Sequence, residues 1–166
     1  MKFSLIDRIT RVVVGRELEA VRALSLGEEY LSDHFPGNPV MPGVLMLEAV
    51  SQAAGWLIRI STDFDKSMVL LKEARNVKYG QFVEPGQTLT VQAEILKSED
   101  GETKLKTQGT VDGQTTVSAR LVLARYNLAD SKPDHARIDT AIKNQLRQMY
   151  SVLREPDAVV PERLPS

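Results

Sequence analysis

Cysteine is absent from the chain, which excludes disulfides, thiol catalysis and cysteine-ligated metal in one step. An excess of charge of one sign is missing as well. The 21 basic residues stand against 22 acidic ones, so no global field recommends nucleic acid or an anionic membrane as a partner. No uninterrupted apolar run has membrane-spanning length, and Met1-Lys2-Phe3-Ser4-Leu5-Ile6-Asp7-Arg8 reaches charge too soon to hold a secretory apolar segment. Internal repeats and low-complexity tracts are lacking too. What remains is a chain of one ordinary domain's length, expected in a reducing, cytoplasmic compartment without membrane insertion.

Leu5–Val14 and Glu17–Leu26 are rich in valine and leucine and flank a Gly15-Arg16 turn, so both read as strands. Gly27–Tyr30 reads as a short helical or irregular turn. After the polar linker Ser61–Ser67, Met68–Lys78 reads as another strand, and Val83-Glu84-Pro85-Gly86 as a turn. Thr88–Leu96 alternates, with Leu89, Val91, Ala93 and Ile95 on one face. Asp100-Gly101 and Asp112-Gly113 then separate Lys104–Val111 and Thr115–Tyr126, as hairpin turns whose residues tolerate positive φ. The expected class is α+β, with roughly five to seven antiparallel strands around one long helix.

That helix is the reading for Gly43 to about Ile60. Pro42 sits where a helix start tolerates a missing N–H, and Val44 to Ile58 leave almost no polar face, which predicts burial. Glu48 and Gln52 interrupt the apolar surface one turn apart and share a face. Immediately before it lies a loop dense in proline and glycine, Asp33-His34-Phe35-Pro36-Gly37-Asn38-Pro39-Val40-Met41-Pro42, which carries one of only two histidines. Residues 127–166 differ from the rest: a polar linker, a helix over Ala136–Arg154 with the stripe Ile138, Ile142, Leu146, Met149 and Leu153, and a tail broken by Pro156, Pro161 and Pro165. One stripe on an appended helix predicts docking on its own domain or on a neighbouring subunit.

The loop–helix junction holds the parts that removal of water from a 3-hydroxyacyl thioester requires. A histidine side chain can take up a proton near neutral pH, so His34 suits the base that takes the C2 proton. Glu48, in an apolar helix, is expected to be desolvated and so to stay protonated, as the acid for the departing hydroxyl must. Gly43 opens the helix, so its N–H and the positive end of the macrodipole can face a thioester oxygen. Gln52 is placed to orient the Glu48 carboxyl. Taken singly, each has a bland reading: a structural loop histidine, a glutamate paired with arginine, an ordinary helix start. Their concentration at one junction is what favours chemistry.

His34-Phe35-Pro36-Gly37-Asn38-Pro39-Val40-Met41-Pro42-Gly43-Val44-Leu45, followed by Glu48-Ala49 and Gln52, closely resembles the signature of the 3-hydroxyacyl-[acyl-carrier-protein] dehydratases of type II fatty acid synthesis. Ser4-Leu5-Ile6-Asp7-Arg8-Ile9, Asn76-Val77-Lys78-Tyr79 and Val83-Glu84-Pro85-Gly86 resemble further elements of that family, and the likeness covers roughly residues 3–126. The resemblance implies a hot-dog fold over residues 1–126, the antiparallel sheet wrapping the helix. It implies catalysis by His34 and Glu48, polarisation of the thioester by the Gly43 amide and support from Gln52. It also implies two chains pairing so that histidine from one faces glutamate from the other, as a homodimer or a trimer of dimers. No metal or other cofactor is implied. The glutamate at position 48 matches the dehydratase branch; the related dehydratase/isomerase branch has aspartate there. Two departures stand out. The chain starts almost at the family's first strand, and residues 127–166 exceed the usual family length.

The partner so implied is acyl carrier protein, an acidic protein, for which Lys72, Arg75, Lys78, Arg120 and Arg125 are candidate basic contacts. Two other readings are weighed: a hot-dog acyl thioesterase, against which His34 argues, and a non-catalytic acyl-binding or assembly subunit, against which the intact His34, Glu48 and Gln52 argue.

Overall fold

A computed structural model describes residues 3–160. Strands β1 (Arg8–Val13) and β2 (Glu17–Ala23) form a hairpin about Gly15, whose φ of 78° suits glycine. A short 3-10 turn (Glu29–Leu31) and the His34 loop lead into helix α1 (Gly43–Ser61). Then follow β3 (Met68–Tyr79), β4 (Thr88–Glu99), β5 (Glu102–Val111), β6 (Gln114–Tyr126) and helix α2 (Ala136–Leu153). The six strands make one antiparallel sheet in the order β1-β2-β4-β5-β6-β3. This is the α+β hot-dog arrangement.

The local reasons are the expected ones. Asp100-Gly101 (φ 47° and 77°) and Asp112-Gly113 (φ 49° and 77°) turn the β4–β5–β6 meander. Alternate residues Leu89, Val91 and Ala93 on β4, and Val117, Ala119, Leu121 and Leu123 on β6, are buried beneath α1. From the helix, Met46, Ala49, Val50, Ala53, Ala54 and Leu57 meet them, the alanines letting the helix lie close to the sheet. Burying a side chain such as Leu57 stabilises the fold by about 1.5–3 kcal/mol. By length and composition α1 is apolar enough to cross a membrane, contrary to the sequence reading; its apolar surface is instead taken up by the sheet.

Three expectations need correction. The first two strands are shorter at their outer ends. Leu5 and Ile6 are buried outside the ladder, while Ser25 turns the chain away by accepting Gly27 N–H (3.1 Å) and Glu28 N–H (3.2 Å), leaving Leu26 exposed. The helix α1 is not buried all round, because Val44 and Glu48 face away from the sheet. On α2 the inward residue of the first turn is Asp139 rather than Ile138, which is 46% exposed. Asp139 accepts hydrogen bonds from Ser67 Oγ, Leu128 N–H (2.9 Å) and Ala129 N–H (2.9 Å), so it ties α2 to the linker before it. Burial pushes its carboxyl upward, but those hydrogen bonds and nearby Lys143 outweigh this and hold it below the usual range.

Apart from Ile142, the rest of the α2 stripe docks on its own chain, with Tyr150 beside it. Leu146, Met149, Tyr150 and Leu153 join the core, with Tyr150 stacked near Trp56 (ring centroids 6.3 Å apart) and tilted on Phe64 (6.0 Å). Beyond it, Arg154–Val160 runs along β1, through Glu155 N–H to Ile9 O (3.1 Å), Val12 N–H to Ala158 O (2.7 Å) and Val160 N–H to Val12 O (2.9 Å). This covers a sheet edge that would otherwise be open. Pro161 and Pro165 lie outside the described residues.

Candidate active site

The loop that carries His34 is held at both ends. Leu31 anchors its start in the core, and Val40 and Met41 are buried at its end, where Met41 N–H donates to Val83 O (2.8 Å). Between them Phe35 takes a positive φ of 51° and its carbonyl accepts Asn38 N–H (2.8 Å), making a tight turn. His34 is half-buried, edge-on to Phe35 with ring centroids 4.5 Å apart.

Gly43 follows Pro42, whose extended backbone (φ −56°, ψ 138°) ends the loop and whose carbonyl accepts Leu45 N–H (2.9 Å) and Met46 N–H (3.2 Å). Gly43 N–H has no hydrogen-bond partner among the described residues. A Cβ at Gly43 would lie 3.0–3.3 Å from the ring of Tyr79, so the aromatic at the end of β3 covers this helix start. Tyr79 was singled out in the sequence only as part of a family-like element. A strand end more than thirty residues downstream gives no local sign that it reaches Gly43.

Glu48 and Gln52 are brought together as expected. Gln52 Nε2 donates to Glu48 Oε1 (2.9 Å) and to Phe3 O (3.1 Å), and Gln52 Oε1 accepts Leu5 N–H (2.8 Å). Both donors and the acceptor of the amide are therefore engaged. The reversed amide would set its oxygen against a carboxylate and a carbonyl, so its orientation is fixed by its neighbours. The short N-terminal segment thus holds the residue that holds Glu48.

One expectation about the site changes. Glu48 is exposed in the single chain, because it sits on the face of α1 that its own sheet does not cover. No hydrogen bond or ion pair joins His34 to Glu48 among the described residues; the chain alone does not assemble them as a bonded pair. Among the candidate basic contacts, Lys72 pairs with Glu102, Arg75 with Glu73 and Arg125 with Asp65 (3.0 Å), so these three are already engaged. Lys78 and Arg120 have no such pair among the described residues. No group of histidine and carboxylate side chains there is arranged to hold a metal ion.

Residues 1–120 match the model of the FabA-like domain, and the chain belongs to that family. It is 35% identical over 132 residues to the 3-hydroxyacyl-[acyl-carrier-protein] dehydratase FabZ of Janthinobacterium sp. (strain Marseille), covering 78% of this chain and 85% of that one. To the enzyme of the same name from Ruminiclostridium cellulolyticum it is 35% identical over 122 residues, 74% of this chain and 86% of the relative. Among solved structures, the dehydratase heterocomplex ApeI:P from Xenorhabdus doucetiae shares the fold, with a TM-score of 0.62 at 20% identity over 75% of this chain and 84% of that one.

Proposed function

We propose that the protein is a hydro-lyase that dehydrates (3R)-hydroxyacyl thioesters of acyl carrier protein to the trans-2-enoyl form in fatty acid or lipid biosynthesis, in the cytoplasm. The observation that carries this reading is the carboxylate of Glu48, clamped by Gln52 a little more than one turn below a helix start whose Gly43 N–H is free. Relatives named for that reaction, about 35% identical over most of their length, support it.

In this reading His34 takes a proton from C2. The negative charge that develops on the thioester oxygen meets the Gly43 N–H and the positive end of α1. Glu48 delivers its proton to the C3 hydroxyl, which leaves as water, and Gln52 keeps the carboxyl oxygen aimed. The Tyr79 ring covers one side of Gly43.

The base and the acid come from different subunits of a homodimer. Support comes from the apolar groups the single chain leaves open near the site, Phe35, Val44, Tyr79 and Phe82, and from Leu70 and Leu71 on β3, whose outer edge is unpaired. A second chain placed there would cover Glu48 and remove it from water. Acyl carrier protein brings the substrate to this face. Residues 127–160 serve as a brace that completes the core and edge of the same hot-dog unit.

The test is to mix the protein with a trans-2-enoyl or 3-hydroxyacyl thioester and follow the absorbance of the conjugated enoyl group. Interconversion that His34→Ala abolishes is expected. An unchanged signal rules the reading out, and release of free thiol instead assigns a thioesterase.

A further inference from the structure

Next to the Glu48–Gln52 pair, and sharing Gln52 with it, a cleft of about 180 Å³ opens between α1, α2 and the N-terminal segment, lined by Phe3, Ser4, Gln52, Trp56, Arg59 and Met149. Most of that lining is apolar, yet it contains a guanidinium. Arg59 lies over the Trp56 ring, 5.7 Å from its centroid, and folds back along the helix over Gly55, where a Cβ would come within 2.8 Å of Nη1. Its charge has no carboxylate partner among the described residues. Nε is buried without a hydrogen bond, and Nη2 makes only a long one, to Val69 O at 3.4 Å. Burial lowers its pKa to about 10, so the group stays charged at neutral pH while its Nε is unmet. A desolvated cation with unused donors is costly unless something supplies the acceptor.

The cleft lies on the face of α1 that carries Glu48 and Gln52. By helix rise, the level of Gly55, where the guanidinium rests, is about 10 Å along the axis from Glu48. An acyl chain whose C3 hydroxyl sits at Glu48 and whose tail runs along this face would bring its far end to Arg59. From this, and resting on the dehydratase reading above, we propose that Arg59 is a specificity-determining residue that binds the distal end of the acyl chain, and that the preferred substrates end in a carboxylate. Trp56 and Met149 flank the chain, and Arg59 offers the planar donor fork that suits carboxylate.

The experiment compares methyl-ended and carboxylate-ended trans-2-enoyl thioesters of matched length. For the wild type, kcat/KM favours the carboxylate-ended chain by roughly ten- to a hundredfold, the ratio a charged hydrogen bond supplies. Arg59→Met removes or inverts that preference while methyl-ended turnover persists, which also shows that the variant is folded. Arg59→Lys retains part of it. Equal rates for the two substrates in the wild type, or a ratio unmoved by Arg59→Met, overturns the proposal. Trp56 is the chain's single tryptophan, so its fluorescence gives a readout independent of turnover. Titration with the carboxylate-ended thioester changes that signal at roughly tenfold or more lower concentration in the wild type than in Arg59→Met, and equal midpoints count against the proposal. If neither substrate is turned over, the dehydratase reading fails, and the titration still decides the role of Arg59.

Discussion

From Ala53 to Ile58 every residue of α1 is buried, whereas its first turns turn Val44 and Glu48 outward, with Gly43, Leu45 and Leu47 only partly covered. The two halves have nearly the same apolar composition. They differ in what is laid against them: β-strands, Tyr150 and α2 around the second half, and only part of the sheet and the Tyr79 ring around the first. An apolar stretch therefore reports that a surface will be covered, without saying by what. In the second half the cover is the chain itself. In the first, the proposed cover is substrate and a second subunit.

The sharpest way to break this contrast is to change the open half without touching the packed one. His34→Ala and Glu48→Gln are expected to lower kcat by about 10²–10⁴-fold, the usual worth of a positioned acid or base, with the thermal midpoint almost unmoved. A large loss of stability in either variant would mean that the open half is structural after all. Mixing the two inactive variants sharpens the picture further. If acid and base meet across a dimer, random exchange makes about half of the dimers heterodimers, each with one of its two sites intact, so about a quarter of wild-type activity should return. No recovery would place both groups of a site in one chain.

The opposite change lies in the packed half. Leu57→Ala empties a fully buried position and is expected to cost about 2–5 kcal/mol of folding stability, read by denaturant melts. Turnover per folded molecule should stay close to wild type. A fall in kcat without a fall in stability would show that the halves are coupled through the helix.

The elements of this fold were legible because their signals are local. Asp-Gly turns, the alternation in Thr88–Leu96 and the Pro42-Gly43 helix start each act within a few residues, and the strands and helix lie where they predict. The Glu48–Gln52 contact was legible for the same reason, one helical turn being a fixed spacing. What could not be read was decided by distant parts of the chain. Asp139 lies beside the stripe read for α2, and it is Ser67 and the Leu128 and Ala129 amides that make it the buried residue. Tyr79 over Gly43, and Phe3 and Leu5 on Gln52, likewise join positions whose nearness depends on the whole sheet. The exposure of Glu48 in one chain follows from the same limit, since helical periodicity does not say which face the sheet leaves bare.

A smaller effect is expected at the seam between the two halves. Gln52→Ala leaves Leu5 N–H without its acceptor and Glu48 without its donor, and is expected to lower kcat about tenfold with little change in KM. Gln52→Glu should do worse, because a second carboxylate then faces Glu48 and the Phe3 carbonyl. Its pH–rate profile should shift as well, which a purely structural defect would not produce. Equal loss in both variants with unchanged profiles would reduce Gln52 to a tether for the N-terminal segment.

The smallest expected effect concerns how the packed half gets its cover, and pH isolates it. The Asp139 carboxyl titrates below its ordinary value of 3.8 in the folded chain, so its hydrogen bonds to Ser67, Leu128 and Ala129 favour folding only while it is ionised. That contribution is complete above the unfolded value and is lost as pH falls through the lower folded value. Asp139→Asn should therefore be less stable than wild type at pH 7, and the gap should close as the solution is acidified below 3.8. Denaturant melts of the two proteins at neutral and acid pH measure it. With Tyr150 stacked near Trp56, loosening of α2 should also change the tryptophan emission, while Glu48 and Gln52 keep their contact. A stability gap that stayed constant with pH would mean that Asp139 holds α2 by shape alone, and that the covered half of α1 owes nothing to this charge.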